Sequence, residues 1–190
     1  MLERIFLGIA LVVFLQTTSQ SQPRKLALLI GIDNYPEASG MGPLQVCNGI
    51  SLMRQTLLSQ GFTEEDILEL KNGEATVTAV REAFLGHLGQ LNAGDIAFVH
   101  FTGHGLQIPD NDEDEPDGMD EALVLFDSRL NDNASLLRDD QMWALLEKLC
   151  EKAGPSGQVL VLIDACHAGG GQEARFLHRA NIVNTPKFSG

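Results

Sequence analysis

Three apolar runs, each stopping at a glycine or a polar turn, constrain this chain more than any other feature. They are Lys25 to Ile32, Ile96 to Phe101 and Gln158 to Ile163. Runs this short and continuous read as strands buried on both faces, as inside a parallel sheet. Parallel strands need crossover connections, and stripes at helical spacing lie between the runs. Ile50, Met53, Leu57 and Leu58 form one over Gly49 to Gln60, stopped by Gly61. Val80, Phe84, Leu85 and Leu88 form a second over Thr78 to Leu91, weakened by Gly86 and Gly89. Met142, Leu145, Leu146 and Leu149 form a third over Asp139 to Lys152, with Asp139 as its expected cap and Gly154-Pro155 as its stop. Ile67 to Leu70 and Ala122 to Phe126 are shorter strand candidates. This alternation predicts an α/β sandwich with a largely parallel sheet.

Sites in such sheets form beyond the carboxyl ends of the strands. The second run ends at Thr102-Gly103-His104-Gly105 and the third at Asp164-Ala165-Cys166-His167. An imidazole and a thiol, far apart in sequence, are thus expected on one edge of the sheet. A thiol attacks as the thiolate, and a nearby imidazole makes that form accessible. The flanking glycines let a peptide backbone approach and leave amides for a developing oxyanion. The other cysteines are Cys47 and Cys150, and no paired-cysteine spacing for zinc is present. A Gly-x-Ser-x-Gly elbow is also absent, which argues against an α/β hydrolase of the serine type.

Charge narrows the partners. Twenty-six acidic residues face thirteen basic ones, a formal net charge of -13, so nucleic acid is not an expected partner. Acid is concentrated in Asp110, Asp112, Glu113, Asp114, Glu115, Asp117, Asp120 and Glu121, a segment that repels itself unless cations or basic side chains neutralise it. At the start, a short polar segment with Arg4 precedes the apolar run Ile5 to Leu15 and the polar, small-residue stretch Gln16 to Gln22. That is the plan of a secretory signal peptide, residues 1–21, and predicts an exported protein, periplasmic or secreted.

Several of these segments together resemble one family. His100-Phe101-Thr102-Gly103-His104-Gly105 and Val161 to Gly169 resemble the histidine and cysteine motifs of metacaspases and of their bacterial relatives, the orthocaspases. Leu28 to Tyr35 is similar to the family's first strand, Asp117 to Val124 to its segment after the histidine, and Leu137-Arg138-Asp139-Asp140 to its acidic helix start. The resemblance implies a caspase-like three-layer α/β/α fold and a cysteine endopeptidase. Cys166 would be the nucleophile, His104 the general base and then acid, and the amides of Gly105 and Cys166 the oxyanion hole. Asp164 matches an acid at the base of the specificity pocket, and Thr102 a pocket-lining serine, implying cleavage after Arg or Lys of a protein or peptide substrate. The family's second pocket acid is missing, because Gly49 follows Asn48 where the acid would stand.

Further expectations follow from the same resemblance. The chemistry requires no cofactor, but carboxylates matching Asp120, Asp139, Asp140 and Glu173 bind calcium in several metacaspases, and hard oxygen ligands suit that ion. Residues 22–171 would be the catalytic domain. Residues 172–190 would be a linker or the start of a truncated small-subunit region, lacking the last strands, which leaves a small subunit as an expected partner. Arg175, Arg179 and Lys187 in that polar stretch are candidate self-cleavage positions. The alternative is a non-catalytic caspase-like module that binds a partner or calcium.

Overall fold

The computed structural model describes residues 22–113, 115–167 and 173–180; for 166–167 and 173–180 the description is of the backbone and its register. The expected signal peptide and Lys187 lie outside these residues. Among the described residues no helix is long and apolar enough to cross a membrane.

Four strands run parallel: β1 (Lys25–Gly31), β2 (Ile67–Lys71), β3 (Ile96–Pro109) and β6 (Gln158–His167), paired β2-β1-β3-β6. Three antiparallel strands surround them: β4 (Met119–Leu123) on β3, β5 (Leu137–Arg138) on β4, and β7 (Glu173–Ala180) on β6. The sheet is therefore mixed, with a parallel centre. Helix α1 (Cys47–Ser59) packs on β1 and β2 around Ala27, Leu29, Ile50, Leu57 and Phe62. Helices α2 (Val77–Glu82) and α3 (Asp139–Ala153) cover the other face over Leu26, Leu28, Val99, Phe101, Val161 and Ile163. These are the three layers that alternating strands and helices require.

One buried residue aligns the starts of the three central strands. Asp95 is 8% exposed. Its Oδ1 accepts from the Arg24 amide (2.8 Å), just before β1, and its Oδ2 from the Asn92 amide (2.9 Å). Its own carbonyl accepts from the amide of Gln158, the first residue of β6 (3.0 Å). Burying a carboxylate is costly unless its oxygens are hydrogen-bonded, and here both accept from backbone amides.

Three expectations from the sequence need correction. The expected helical segment 78–91 is regular only to Glu82; the chain then loosens into a π turn (Ala83–His87) and a 3-10 turn (Leu88–Gln90), at the glycines that weaken it. Asp139 is not the cap of α3. Arg138 holds that position in extended conformation, and Asp139 is the first helical residue, its Oδ1 accepting from the Asp140 amide (3.0 Å). The polar stretch after the cysteine, expected to be weakly structured as a linker or the start of a small-subunit region, contains a strand, β7. Ala174, Phe176, His178 and Ala180 alternate with Glu173, Arg175, Leu177 and Arg179, a period of two that the charges obscure.

The turn from α3 into β6 has no room for a side chain at Gly157. A methyl group there would run into the carbonyls of Ala153 and Asp95. Gly157→Ala is therefore expected to lower stability by about 1–3 kcal/mol, the usual cost of overpacking. Urea denaturation of the variant beside the parent checks this; equal midpoints would contradict it.

Candidate active site

His104 and Cys166 are placed by one pairing. β3 and β6 run parallel in a register that sets Thr102 opposite Asp164, Gly103 opposite Ala165, and His104 opposite Cys166. Partners in register share a face, so Thr102, His104, Asp164 and Cys166 all belong to the α1 face of the sheet. Both strands run further than their apolar cores suggest, so neither residue lies in a loop after the strand. The strand continues through Gly103 and Gly105 because backbone pairing, not side-chain apolarity, holds it there.

His104 is half-buried, and its ring is held by the loop after β1. Nε2 lies 2.9 Å from the Gly42 carbonyl. A carbonyl only accepts, so Nε2 carries the hydrogen and, in the neutral ring, Nδ1 holds the lone pair. The Tyr35 ring lies beside the imidazole, 5.0 Å between centroids. The His104 amide donates to Tyr35 Oη (3.0 Å), whose hydroxyl donates to the Val124 carbonyl (3.0 Å). His100, four residues back on the same face, is buried; desolvation lowers its pKa, and its Nδ1 lies 3.1 Å from the Leu162 carbonyl, so it is a neutral strut.

The other two cysteines are poor nucleophiles. Burial, with Asp33 beside it, pushes the Cys47 thiol up to about 11, and burial raises Cys150 as well. Asp33 keeps its own pKa below the usual carboxylate value: burial opposes the charge, but the amides of Cys47 and Val46 outweigh it. Asp33 therefore anchors the start of α1 next to Gly31, where an added methyl would strike Ile50 and touch Cys47. Gly31 pairs with Thr102, so the start of α1 adjoins the face that carries Thr102 and exposed Asp164. Gly49, in the first turn of α1, has open space around it. Gly105 is buried, with Leu123 and His167 as its register neighbours.

The acids separate into two groups. Asp110 organises the loop 110–118: its carboxylate accepts from the amides of Asp112 (2.8 Å), Glu113 (3.0 Å) and Glu115 (3.1 Å), and the bond from Asp112 leads in lowering its pKa to about 2. Asp120, Asp139 and Asp140 converge, with an oxygen of each within 4.8 Å of the others. Asp120 is fully buried; its Oδ2 pairs with Arg138, while Oδ1 is buried with no hydrogen-bond partner among the described residues. Glu173 lies on β7, its backbone in register with Cys166.

Residues 24–187 match the caspase domain family of cysteine peptidases. The chain belongs to that family. It is 36% identical to Metacaspase-7 of Arabidopsis thaliana over 154 residues, which are 77% of this chain and 35% of that protein. It is 32% identical to Metacaspase-1 of Schizosaccharomyces pombe over 174 residues, 87% of this chain and 39% of that one. The crystal structure of protein GSU0716 from Geobacter sulfurreducens superposes with a TM-score of 0.62 at 34% identity, covering 78% of this chain and 52% of that one. The chain thus spans little more than a third of the length of these two metacaspases.

In this caspase domain the segments Leu28 to Tyr35 and Leu137 to Asp140 contain Tyr35, Asp33 and Arg138, but the sequence does not show their partners: the His104 amide for Tyr35, the first amide of α1 for Asp33 and the buried Asp120 for Arg138. Loss of water, reinforced by Asp140, Asp120 and Glu121, raises the Asp139 carboxyl from 3.8 to about 7. A carboxyl whose folded pKa exceeds its unfolded value holds its proton more tightly when folded. Its contribution to stability is whole below about 3.8 and is lost as pH rises through about 7. Asp139→Asn keeps the shape without the titration. Its urea midpoint relative to the parent should rise between pH 4 and pH 7; a constant difference across that range would contradict the assignment.

Proposed function

We propose that this caspase domain is the catalytic part of a cysteine endopeptidase that cleaves after Arg or Lys. The observation that carries this reading is the register of β3 and β6, which sets His104 opposite Cys166 on one face. In the mechanism, Cys166 gives its proton to Nδ1 of His104, and the thiolate attacks the carbonyl carbon of the scissile peptide bond. The oxyanion is held by the amides of Gly105 and Cys166. His104 returns the proton to the leaving amine, the C–N bond breaks, and a thioester remains. His104 then takes a proton from water, which attacks the thioester, frees the carboxylate product and restores the thiol. The bond from Nε2 to Gly42 keeps the ring in one tautomer throughout.

Selectivity rests on Asp164, an exposed carboxylate two residues before the nucleophile, with Thr102 in register beside it. A carboxylate paired with a guanidinium is directional enough to dictate the residue on the acyl side. Cys166→Ala in the full-length protein is expected to bring peptide turnover to background, and His104→Ala to leave a small residue of rate. Peptides ending in Arg or Lys at the cut should turn over, and their Asp counterparts should not. Gly49→Asp, which places a carboxylate in open space at the start of α1, should widen that margin. Wild-type turnover by Cys166→Ala, or a preference for acidic residues, would defeat the reading.

Calcium fits the trio of Asp120, Asp139 and Asp140. Its donors are all hard oxygens, and the buried Asp120 Oδ1 has no hydrogen-bond partner among the described residues. A bound cation there would offset three converging charges. Asp120, Asp139 and Asp140 would hold such an ion, which would supply positive charge at the β4–α3 corner. Self-processing is the last element. Arg175 and Arg179 are backbone-paired in β7, opposite Asp164 and Leu160, so a cut there requires β7 to leave β6. Incubating the full-length protein with and without millimolar calcium, and sequencing the new termini, tests both. New termini after Arg175, Arg179 or Lys187 are expected in the parent, faster with calcium, and not in Cys166→Ala. A free peptide of residues 172–183 should be cut faster than the same bonds in the folded chain.

A further inference from the structure

Along one edge of β3 the neighbouring strand changes. β1 pairs up to Gly31 opposite Thr102, and β4 pairs from Leu123 opposite Gly105. Gly103 and His104 stand at the change. Val124 donates its amide directly to the His104 carbonyl (3.0 Å). An antiparallel pair would return this bond from the His104 amide to the Val124 carbonyl. The Tyr35 hydroxyl is inserted there instead, accepting from the His104 amide and donating to Val124, at 3.0 Å each.

We propose that Tyr35 is a positioning residue for His104, its hydroxyl acting as a fixed spacer in the β3–β4 ladder that sets the imidazole against the nucleophile strand. This rests on the reading of His104 as the base. The spacer fixes the peptide plane of Gly103-His104, from which the imidazole projects. The loop that supplies Tyr35 also supplies the Gly42 carbonyl to Nε2, so one segment holds His104 by its backbone and by its ring. Gly103 is fitted to the same spacer: a methyl group on it would lie 2.7 Å from Tyr35 Oη and 2.8 Å from Phe101 Cζ. Gly103 therefore serves the hydroxyl as well as any approaching substrate.

Phenylalanine at 35 keeps the ring and deletes the spacer. The His104 amide and Val124 carbonyl then close together or admit water, and either response shifts the imidazole. Displacements of about 1 Å cost reactions on the order of 100-fold. The test compares the full-length parent, Tyr35→Phe, His104→Ala and the double variant. Turnover of a basic peptide is measured, together with alkylation of Cys166 by iodoacetamide, read by the mass of its peptide. Tyr35→Phe is expected to lower kcat by about 10- to 100-fold with KM within about two-fold, and to slow alkylation. In the His104→Ala background it should have no further effect on either, because a residue acting through His104 loses its target. An unchanged kcat, or the same fold-loss in both backgrounds, overturns the proposal. If Tyr35→Phe does not fold, Gly103→Ala presses on the hydroxyl without removing it; wild-type kcat in that variant overturns the proposal too. Wild-type turnover by Cys166→Ala would defeat the peptidase reading itself, whereas an inert Cys166→Ala beside a normal Tyr35→Phe defeats only the role of Tyr35.

Discussion

The three amide bonds gathered by Asp95 hold the central strands in step, and most of the site depends on that alignment. Side chains alternate across a strand, so a slip of one residue between β3 and β6 would put His104 and Cys166 on opposite faces. Asp95 accepts at the start of β1 through its carboxylate and at the start of β6 through its carbonyl, and its own peptide leads into β3. Apolar packing on the α2–α3 face reinforces the register, because Val99, Phe101, Val159, Val161 and Ile163 are buried there only in this alignment. The register of His104 and Cys166 thus depends on contacts at the opposite end of the same strands.

Much of this was legible beforehand, for physical reasons. Buried parallel strands betray themselves as unbroken apolar runs, and Leu26 to Ile30 are all fully buried as such a run requires. The stripe of Met142, Leu146 and Leu149 is the buried side of α3. Strand ends were less legible. β3 continues through Thr102-Gly103-His104-Gly105 to Pro109, past the point where apolar residues stop, because hydrogen bonds to β4 and β6 take over from burial. β7 was missed because Glu173, Arg175 and Arg179 mask its alternation. The supports of the site were illegible in principle. Tyr35 is 69 residues from the amide it accepts, and no local pattern records such a partnership.

The surplus of negative charge is managed locally rather than by matching. Asp110 spends its charge on three amides of its own loop, and Asp33 on the first amides of α1. At the β4–α3 corner Asp120 has Arg138 within reach, and the same guanidinium also donates to the Pro109 carbonyl (3.1 Å). Burial from water, reinforced by the neighbouring carboxylates of Asp140, Asp120 and Glu121, is why Asp139 resists giving up its proton.

The order of strands along the chain differs from their order in the sheet, and this has a consequence for biosynthesis. β1, β2, β3 and β4 are all complete by Leu123, yet β3 then still lacks β6 on one side. Among the described residues β6 is the last parallel strand to emerge from the ribosome, and it docks on an edge of β3 that waits through α3. Until then the histidine is in place with no thiol opposite it. A nascent chain therefore presents His104 before Cys166, and the two cannot be set in register before residue 167 has been made and released from the exit tunnel.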